Sequence, residues 1–142
     1  MVQGSEIHYE KLLYDRAASA LKVHGILAIV FGGLGVLFGL VFIVLMAFGN
    51  IADPSYDAYS SSLGILFVSA LVVVFWILPH AYLITSGIYL IREPSPKLAR
   101  TLVIINLVVG VFYNLIMLVV AIVNLTQITD YERAYPVHKN KQ

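Results

Sequence analysis

Charged positions in this chain are confined to short blocks, and long apolar segments separate them. Residues 23–52, 58–91 and 101–129 contain no Asp, Glu, Lys or Arg. Each of these segments is about 30 residues long, whereas ~20 apolar residues are enough to cross the ~30 Å hydrocarbon core of a bilayer. The pattern therefore predicts an all-α integral membrane protein, built as a three-transmembrane-helix bundle.

The predicted spans are residues 23–49, 63–91 and 100–127, within a single membrane domain that covers residues 1–142. Pro94 interrupts the helical pattern before the third span. Residues 128–142 are predicted to be a polar tail. The first apolar run is longer than the apolar region of a signal peptide, so we expect it to stay in the mature protein.

A different pattern precedes the first span, because residues 5–22 alternate between apolar and charged positions at helical spacing. Its apolar face would consist of Ile7, Tyr14, Ala17, Ala18 and Leu21. We therefore predict an N-terminal amphipathic helix. It would be either an interfacial or cytosolic extension of the first span or a docking helix for a partner subunit.

Composition narrows the possible functions. The chain is 60% hydrophobic and 12% charged, against about 25% charged residues in soluble domains. The absence of cysteine excludes disulfides, thiolate catalysis and cysteine-bound metals. A net charge of +1 gives no general attraction to nucleic acid. With no nucleophile–base or carboxylate pair at membrane depth, we predict no enzyme activity, cofactor or metal.

The basic residues near the predicted spans indicate orientation. The N-terminal block and the loop after the second span carry three Lys or Arg residues each, and the first loop carries none. Because basic loops stay in the cytoplasm, the N-terminus and the second loop are predicted to be cytoplasmic. Three spans would then place the C-terminus outside, with Tyr131 and Tyr135 in the outer aromatic belt.

Small residues recur along one face of the first span at intervals of three or four positions. They are Gly25, Ala28, Gly32, Gly35 and Gly39. Small side chains let helix backbones approach closely, and close packing drives helix association in lipid. We call these five residues the glycine face. We predict that it packs against the other spans, or against a second copy or another subunit; lining a narrow pore is a further alternative.

His80 is the histidine deep within a predicted span, and it follows Pro79. Counting inward from the charged ends at 1.5 Å per residue places it at the depth of Gly35, Tyr113 and Asn114. We expect His80 to pack near Asn114 or Tyr113, over the glycine face. Such residues are candidates for function, here a proton relay or a quinone contact. The alternative is a neutral histidine that helps to close the kink at Pro79.

Asn106, Asn114 and Asn124 lie on roughly one side of the third predicted span. We expect them to support helix packing through interhelical hydrogen bonds, and lining a polar path is the alternative. His24 lies at the predicted cytoplasmic boundary of the first span, far from His80 in depth.

Aromatic residues give the second predicted span a distinct character, notably Trp76, Tyr82 and Tyr89. Tyr82 and Tyr89 are one heptad apart and share a face. These three residues are candidate contacts for a lipid or a quinone, although aromatic residues at helical spacing are also typical of packing.

Function follows mainly by elimination. We predict a non-catalytic small polytopic membrane protein, an accessory or structural subunit of a larger membrane complex. Its partners would be membrane lipids and other membrane subunits, or copies of itself, bound through the glycine face and the N-terminal helix. One alternative is the protomer of a homo-oligomeric channel or transporter, lined by the asparagine row and His80. The other is a lipid- or quinone-binding membrane protein.

Overall fold

The structure, a computed structural model, describes residues 2–51 and 58–139, with side chains over residues 8–49 and 62–136. All the regular secondary structure in these ranges is helical. In chain order the helices are α1 (Val2–Ile51), α2 (Ala58–Val72), a π-helical segment (Val73–Ile77), α3 (Leu78–Ile91), α4 (Pro96–Tyr113) and α5 (Leu115–Lys139).

Four helical stretches of the described chain are long and apolar enough to cross a membrane. They are His8–Gly49, Ser62–Ile91, Pro96–Tyr113 and Leu115–Pro136. This agrees with the predicted all-helical membrane protein, but the predicted count of three spans is wrong.

In the first stretch the amphipathic segment and the first span form one helix, α1, which agrees with the alternative in which the segment extends the span. No proline occurs before residue 54, so every backbone N–H within α1 remains able to donate a helical hydrogen bond. The boundary at residue 22 is thus a change in side-chain polarity and not in backbone conformation.

The second stretch is helical throughout, but its hydrogen-bond register changes before Pro79. The N–H of Leu78 donates to the carbonyl oxygen of Val73, five residues back, at the end of the π-helical segment. Proline has no N–H to donate to the preceding turn, and the π-helical turn is a local interruption of the α-helix directly before it.

The third predicted span, residues 100–127, is in fact a helical hairpin that reverses at Asn114. The backbone of Asn114 is extended (φ −158°, ψ 102°). Its side-chain Oδ1 accepts hydrogen bonds from the N–H groups of Ile116 (3.0 Å) and Met117 (3.2 Å). Asparagine therefore caps the first turn of α5, and a one-residue turn divides an apolar run that reads as a single helix.

The two arms of the hairpin lie close together near the turn. A Cβ atom added to Gly110 on α4 would lie 2.6 Å from the backbone nitrogen of Leu118 on α5. At the other end, Arg100 and Glu132 form an ion pair with an N···O distance of 2.7 Å. The arms are therefore antiparallel, and α5 returns toward the start of α4.

The predicted polar tail is helical as far as Lys139, and part of it is buried. The hydroxyl of Tyr131 donates to the carbonyl oxygen of Pro94 (2.9 Å), and its ring stacks on Tyr14 with 5.5 Å between centroids. A side chain that touches both Tyr14 and Pro94 does not lie across the membrane from them. The predicted place of Tyr131 in an outer aromatic belt, opposite the second loop, is therefore wrong.

The chain divides into two compact units, Met1–Ile29 with Thr85–Gln142, and Val30–Ile84. We call them the hairpin unit and the π-helix unit. The core of the hairpin unit is formed by the apolar face of the first part of α1, Leu90 at the end of α3, and the facing sides of α4 and α5. Its buried residues are Tyr14, Ala17, Ala18, Leu21, Leu90, Ala99, Leu102, Val103, Ala121, Ile128, Tyr131 and Ala134. Whether the units act as the single predicted domain stays a prediction.

Candidate functional site

His80, the predicted intramembrane site residue, is 4% exposed and lies in the π-helix unit. Its ring Nδ1 is 2.7 Å from the carbonyl oxygen of Trp76. A carbonyl oxygen only accepts, so the imidazole nitrogen donates in this contact. His80 directly follows Pro79, and the acceptor residue Trp76 lies four residues before His80 in the chain. The helical donor that Pro79 lacks would bond Phe75, four residues back, so the ring contact with Trp76 does not replace it.

Trp76 connects this site to α1. Its indole Nε1–H donates to the carbonyl oxygen of Gly35 (2.9 Å), and its ring lies 4.9 Å from that of His80, centroid to centroid. The imidazole lies directly over Gly35, so a Cβ there would collide with it. Gly35, Trp76 and His80 thus form one interlocked cluster.

All five residues of the glycine face are buried. In the π-helix unit, a Cβ added to Gly32 would lie 2.6 Å from the carbonyl oxygen of His80, and one added to Gly39 would lie 2.7 Å from Ile77. In the hairpin unit, a Cβ on Gly25 would lie 2.6 Å from the carbonyl oxygen of Gly87. These contacts require helix backbones without intervening side chains.

An open apolar groove lies beside this cluster in the π-helix unit, with a volume of about 620 Å³. We call it the phenylalanine groove. It is lined by Phe38, Gly39, Val41, Phe42, Leu45, Val72 and Trp76. Phe38, Phe42 and Leu45 share one face of α1 because they are spaced by four and three residues. The groove suits an apolar chain or helix face.

The other predicted aromatic contacts lie elsewhere. Tyr82 is partly buried, and its hydroxyl has no hydrogen-bond partner among the described residues. Tyr89, in the hairpin unit, is 49% exposed. Tyr113 lies beside Phe112 with 6.5 Å between ring centroids. Because Tyr113 and Asn114 belong to the hairpin unit, their predicted proximity to His80 stays a prediction.

A second polar cluster, which the sequence did not indicate, is buried in the hairpin unit. The hydroxyl of Ser86 donates to Asn106 Oδ1 (3.0 Å), and Asn106 Nδ2 lies 3.1 Å from His24 Nε2. All three side chains are at most 1% exposed. With the amide nitrogen as donor, His24 accepts through Nε2. His24 lies at the edge of its apolar run, so only its tertiary contacts reveal it.

A third cluster joins α1 to the loop between α3 and α4. Glu93 has φ = +53°, a left-handed conformation that costs a non-glycine residue of the order of 1 kcal/mol or more. Its carboxylate accepts a hydrogen bond from the Tyr14 hydroxyl (3.0 Å) and pairs with Lys22 (2.7 Å). These contacts hold the loop in place.

No protein-family model, curated protein or solved structure matches this chain.

We predict that Gly35→Ala lowers the thermal unfolding temperature in detergent, because the new Cβ would collide with the His80 imidazole. Gly33→Ala is the matched control, because a Cβ there meets nothing within 4 Å. Alanine in a helix interior is more stable than glycine by roughly 0.5–1 kcal/mol, so the control should be neutral or stabilising. Equal effects of the two substitutions would contradict the packing described here.

We also predict that Asn106→Leu destabilises the fold by about 1–3 kcal/mol, because it removes the partner of buried groups on His24 and Ser86. Thr101→Val is the control on the same helix, since Thr101 is exposed and bonds its own backbone at Lys97. The control should stay within about 0.5 kcal/mol of the unaltered protein. Denaturant unfolding followed by circular dichroism would measure both, and similar losses would argue against the buried network.

Proposed function

We propose that this chain is a non-catalytic small polytopic membrane protein that serves as an accessory or structural subunit of a larger membrane complex. The observation that carries the proposal is the phenylalanine groove. It is a defined concave surface on a membrane helix pair, and the described residues of its own unit leave it open.

The groove suits a partner helix because its walls present exposed aromatic and aliphatic side chains. Phe38 and Phe42 are 66% and 49% exposed, and they stand on either side of Gly39 along α1. Helices in lipid associate through van der Waals packing of complementary surfaces, since lipid tails are as apolar as the side chains themselves. The two exposed rings offer such a surface to a ridge of side chains on another membrane helix.

The neighbouring polar groups support a structural role for this surface. The Trp76 N–H is directed to the backbone of Gly35, and His80 Nδ1 to the backbone of Trp76. The groove lining itself contains no carboxylate, hydroxyl, amine or imidazole. A surface of this kind can recognise shape and apolar area, and it offers no acid, base or nucleophile for a reaction.

A lipid or quinone tail is the second candidate occupant. Trp76, one of the residues predicted to contact such a ligand, is 41% exposed and forms part of the groove wall. The volume of about 620 Å³ also lies within the usual range of about 300–1,000 Å³ for small-molecule sites.

The channel alternative receives less support from the asparagines. Asn106 is held between His24 and Ser86, and Asn114 caps α5. Asn124 is 3% exposed. The contacts of Asn106 and Asn114 favour packing roles for these two residues over a shared water-filled path.

We further propose that both termini lie in the cytoplasm, in place of the external C-terminus expected for three spans. Four crossings return the chain to its starting side. All nine Lys and Arg residues of the sequence then lie on that side, in the N-terminal block, the loop around residues 92–100 and the C-terminal tail. This distribution agrees better with the positive-inside rule than the six-to-three division that three spans require.

The topology can be tested with single-cysteine variants, because the native chain has no cysteine. We expect Asp57→Cys to react with a membrane-impermeant maleimide in intact cells. Ser95→Cys and Gln142→Cys should react only after permeabilisation. Labelling of Gln142→Cys in intact cells, together with protection of Ser95→Cys, would restore the three-span arrangement.

The subunit proposal predicts a stoichiometric partner whose recovery depends on the groove. After mild extraction, native mass spectrometry should show the chain bound to another membrane polypeptide. We expect Phe42→Ala to reduce that recovery at least severalfold, because truncating a central aromatic anchor typically costs ≥ 1–2 kcal/mol of binding.

Leu66→Ala is the matched control for this experiment, since Leu66 is 68% exposed in the same unit and lies outside the groove lining. It should leave recovery unchanged. A self-only oligomer would contradict the subunit proposal and favour the channel alternative. A bound lipid or quinone without any polypeptide would favour the second candidate.

A further inference from the structure

A second groove lies within the hairpin unit, between the first part of α1 and the membrane portion of α5. Its volume is about 380 Å³. One wall contains Arg16 and Val23, and the other contains Val119, Asn124 and Gln127. We call it the amide groove, and it is separate in sequence from the phenylalanine groove on which the proposed function rests.

Polarity changes in one direction along the amide groove. The two helices are antiparallel here, because the ring of Tyr14 stacks on that of Tyr131 while α1 and α5 continue away from this contact in opposite chain directions. Arg16 and Gln127 therefore lie near the charged end of the unit, and Val23 and Val119 lie deeper. A membrane phospholipid has the same order of groups, with its phosphate at the interface and its acyl chain below.

The amide groups in the wall are short of hydrogen-bond donors. Asn124 is 3% exposed, and its Nδ2 donates to the carbonyl oxygen of Val120 (2.9 Å). Because that carbonyl only accepts, the orientation of the amide is determined. Asn124 Oδ1 and Gln127 Oε1 are then buried without a partner among the described residues.

Such atoms are costly, since a buried polar group without a hydrogen bond loses about 1–3 kcal/mol. Both oxygens are acceptors, and both belong to residues of one groove wall three positions apart, on the same face of α5. A ligand that relieves this cost must bring O–H or N–H donors to this depth.

The rim of the groove adds a positive charge. Arg16 is exposed and forms no ion pair with any described residue. A guanidinium group matches the geometry of a phosphate through paired N–H donors. Charge, acceptor oxygens and an apolar wall thus follow one another along the groove.

We propose that the amide groove binds a phosphate-bearing membrane lipid whose backbone carries a hydrogen-bond donor directly below the phosphate, as in a lysophospholipid or a ceramide phosphate. Arg16 receives the phosphate, Asn124 and Gln127 accept from the backbone donor, and the valines contact the chain. An ordinary diacyl phospholipid has only ester oxygens at this level. They would face the amide oxygens acceptor to acceptor, so the groove disfavours it.

The test uses the full-length protein in nanodiscs of phosphatidylcholine, with binding measured by native mass spectrometry. The probes are 1-oleoyl lysophosphatidic acid, its 2-O-methyl ether and a diacyl phosphatidic acid. All three have a phosphate, but only the first has a free hydroxyl below it. We expect it to bind about tenfold more tightly than either of the others, the effect of roughly one hydrogen bond.

Variants separate the two parts of the site. Asn124→Leu should abolish the preference for the free hydroxyl, and Arg16→Gln should weaken all three probes by a similar factor. Thr126→Val is the control, because Thr126 is exposed and bonds its own helix at Val123. It should bind as the unaltered protein does. If Asn124→Leu does not fold, Gln127→Met makes the same test with an uncharged side chain of similar length.

Equal affinities of the unaltered protein for the three probes would overturn the proposal and leave non-selective lipid contact only. A preference that persists in both Asn124→Leu and Gln127→Met would also overturn it. Neither result bears on the phenylalanine groove, so failure here is distinguishable from failure of the subunit proposal.

Discussion

Close approach of helix backbones is the constraint on which the packing of both units depends. In lipid no hydrophobic force draws helices together, so contact area at short distance must do so. In the hairpin unit Gly25 faces Gly87, and Gly110 faces Leu118. In the π-helix unit Gly32 faces the backbone carbonyl of His80. A methyl group added at any of these glycines would push apart the two helices that the glycine now allows to come into contact.

Polar groups in this apolar setting are mostly paired close to where the chain requires them. His80, which follows Pro79, bonds the backbone carbonyl oxygen of Trp76 through its ring. Asn114 interrupts an apolar run, and its own side chain caps the helix that follows. Backbone groups in a bilayer must be satisfied internally, and the Asn114 cap does this for two N–H groups of α5. Among the described residues, four buried side-chain atoms depart from this pattern: His24 Nδ1, the Tyr82 hydroxyl, Asn124 Oδ1 and Gln127 Oε1. The last two belong to the wall of one groove, where a ligand could reach them.

Helical periodicity specifies which residues share a face of a helix, but it does not specify which atoms they contact on a neighbouring helix. The spacing of small residues placed Gly35 and its neighbours on one face, because side-chain direction repeats with the helix. The same spacing did not show that Trp76 donates to the Gly35 backbone, since a donor's partner depends on how two helices are rotated against each other. The role of His24 could not be predicted for a related reason. Its hydrogen bond with Asn106 depends on how a distant helix packs against α1, which the sequence pattern does not specify.

By itself the sequence determined that the chain is helical and suited to a membrane, since charge-free segments of about 30 residues have few other uses. It also determined which ends of those segments are basic. Only the tertiary structure decided that residues 100–127 reverse at Asn114. No glycine–proline turn signal marks the point, and an asparagine in an apolar run reads equally well as part of a continuous helix. The reversal depends on α5 packing back along α4, where Gly110 leaves room for Leu118.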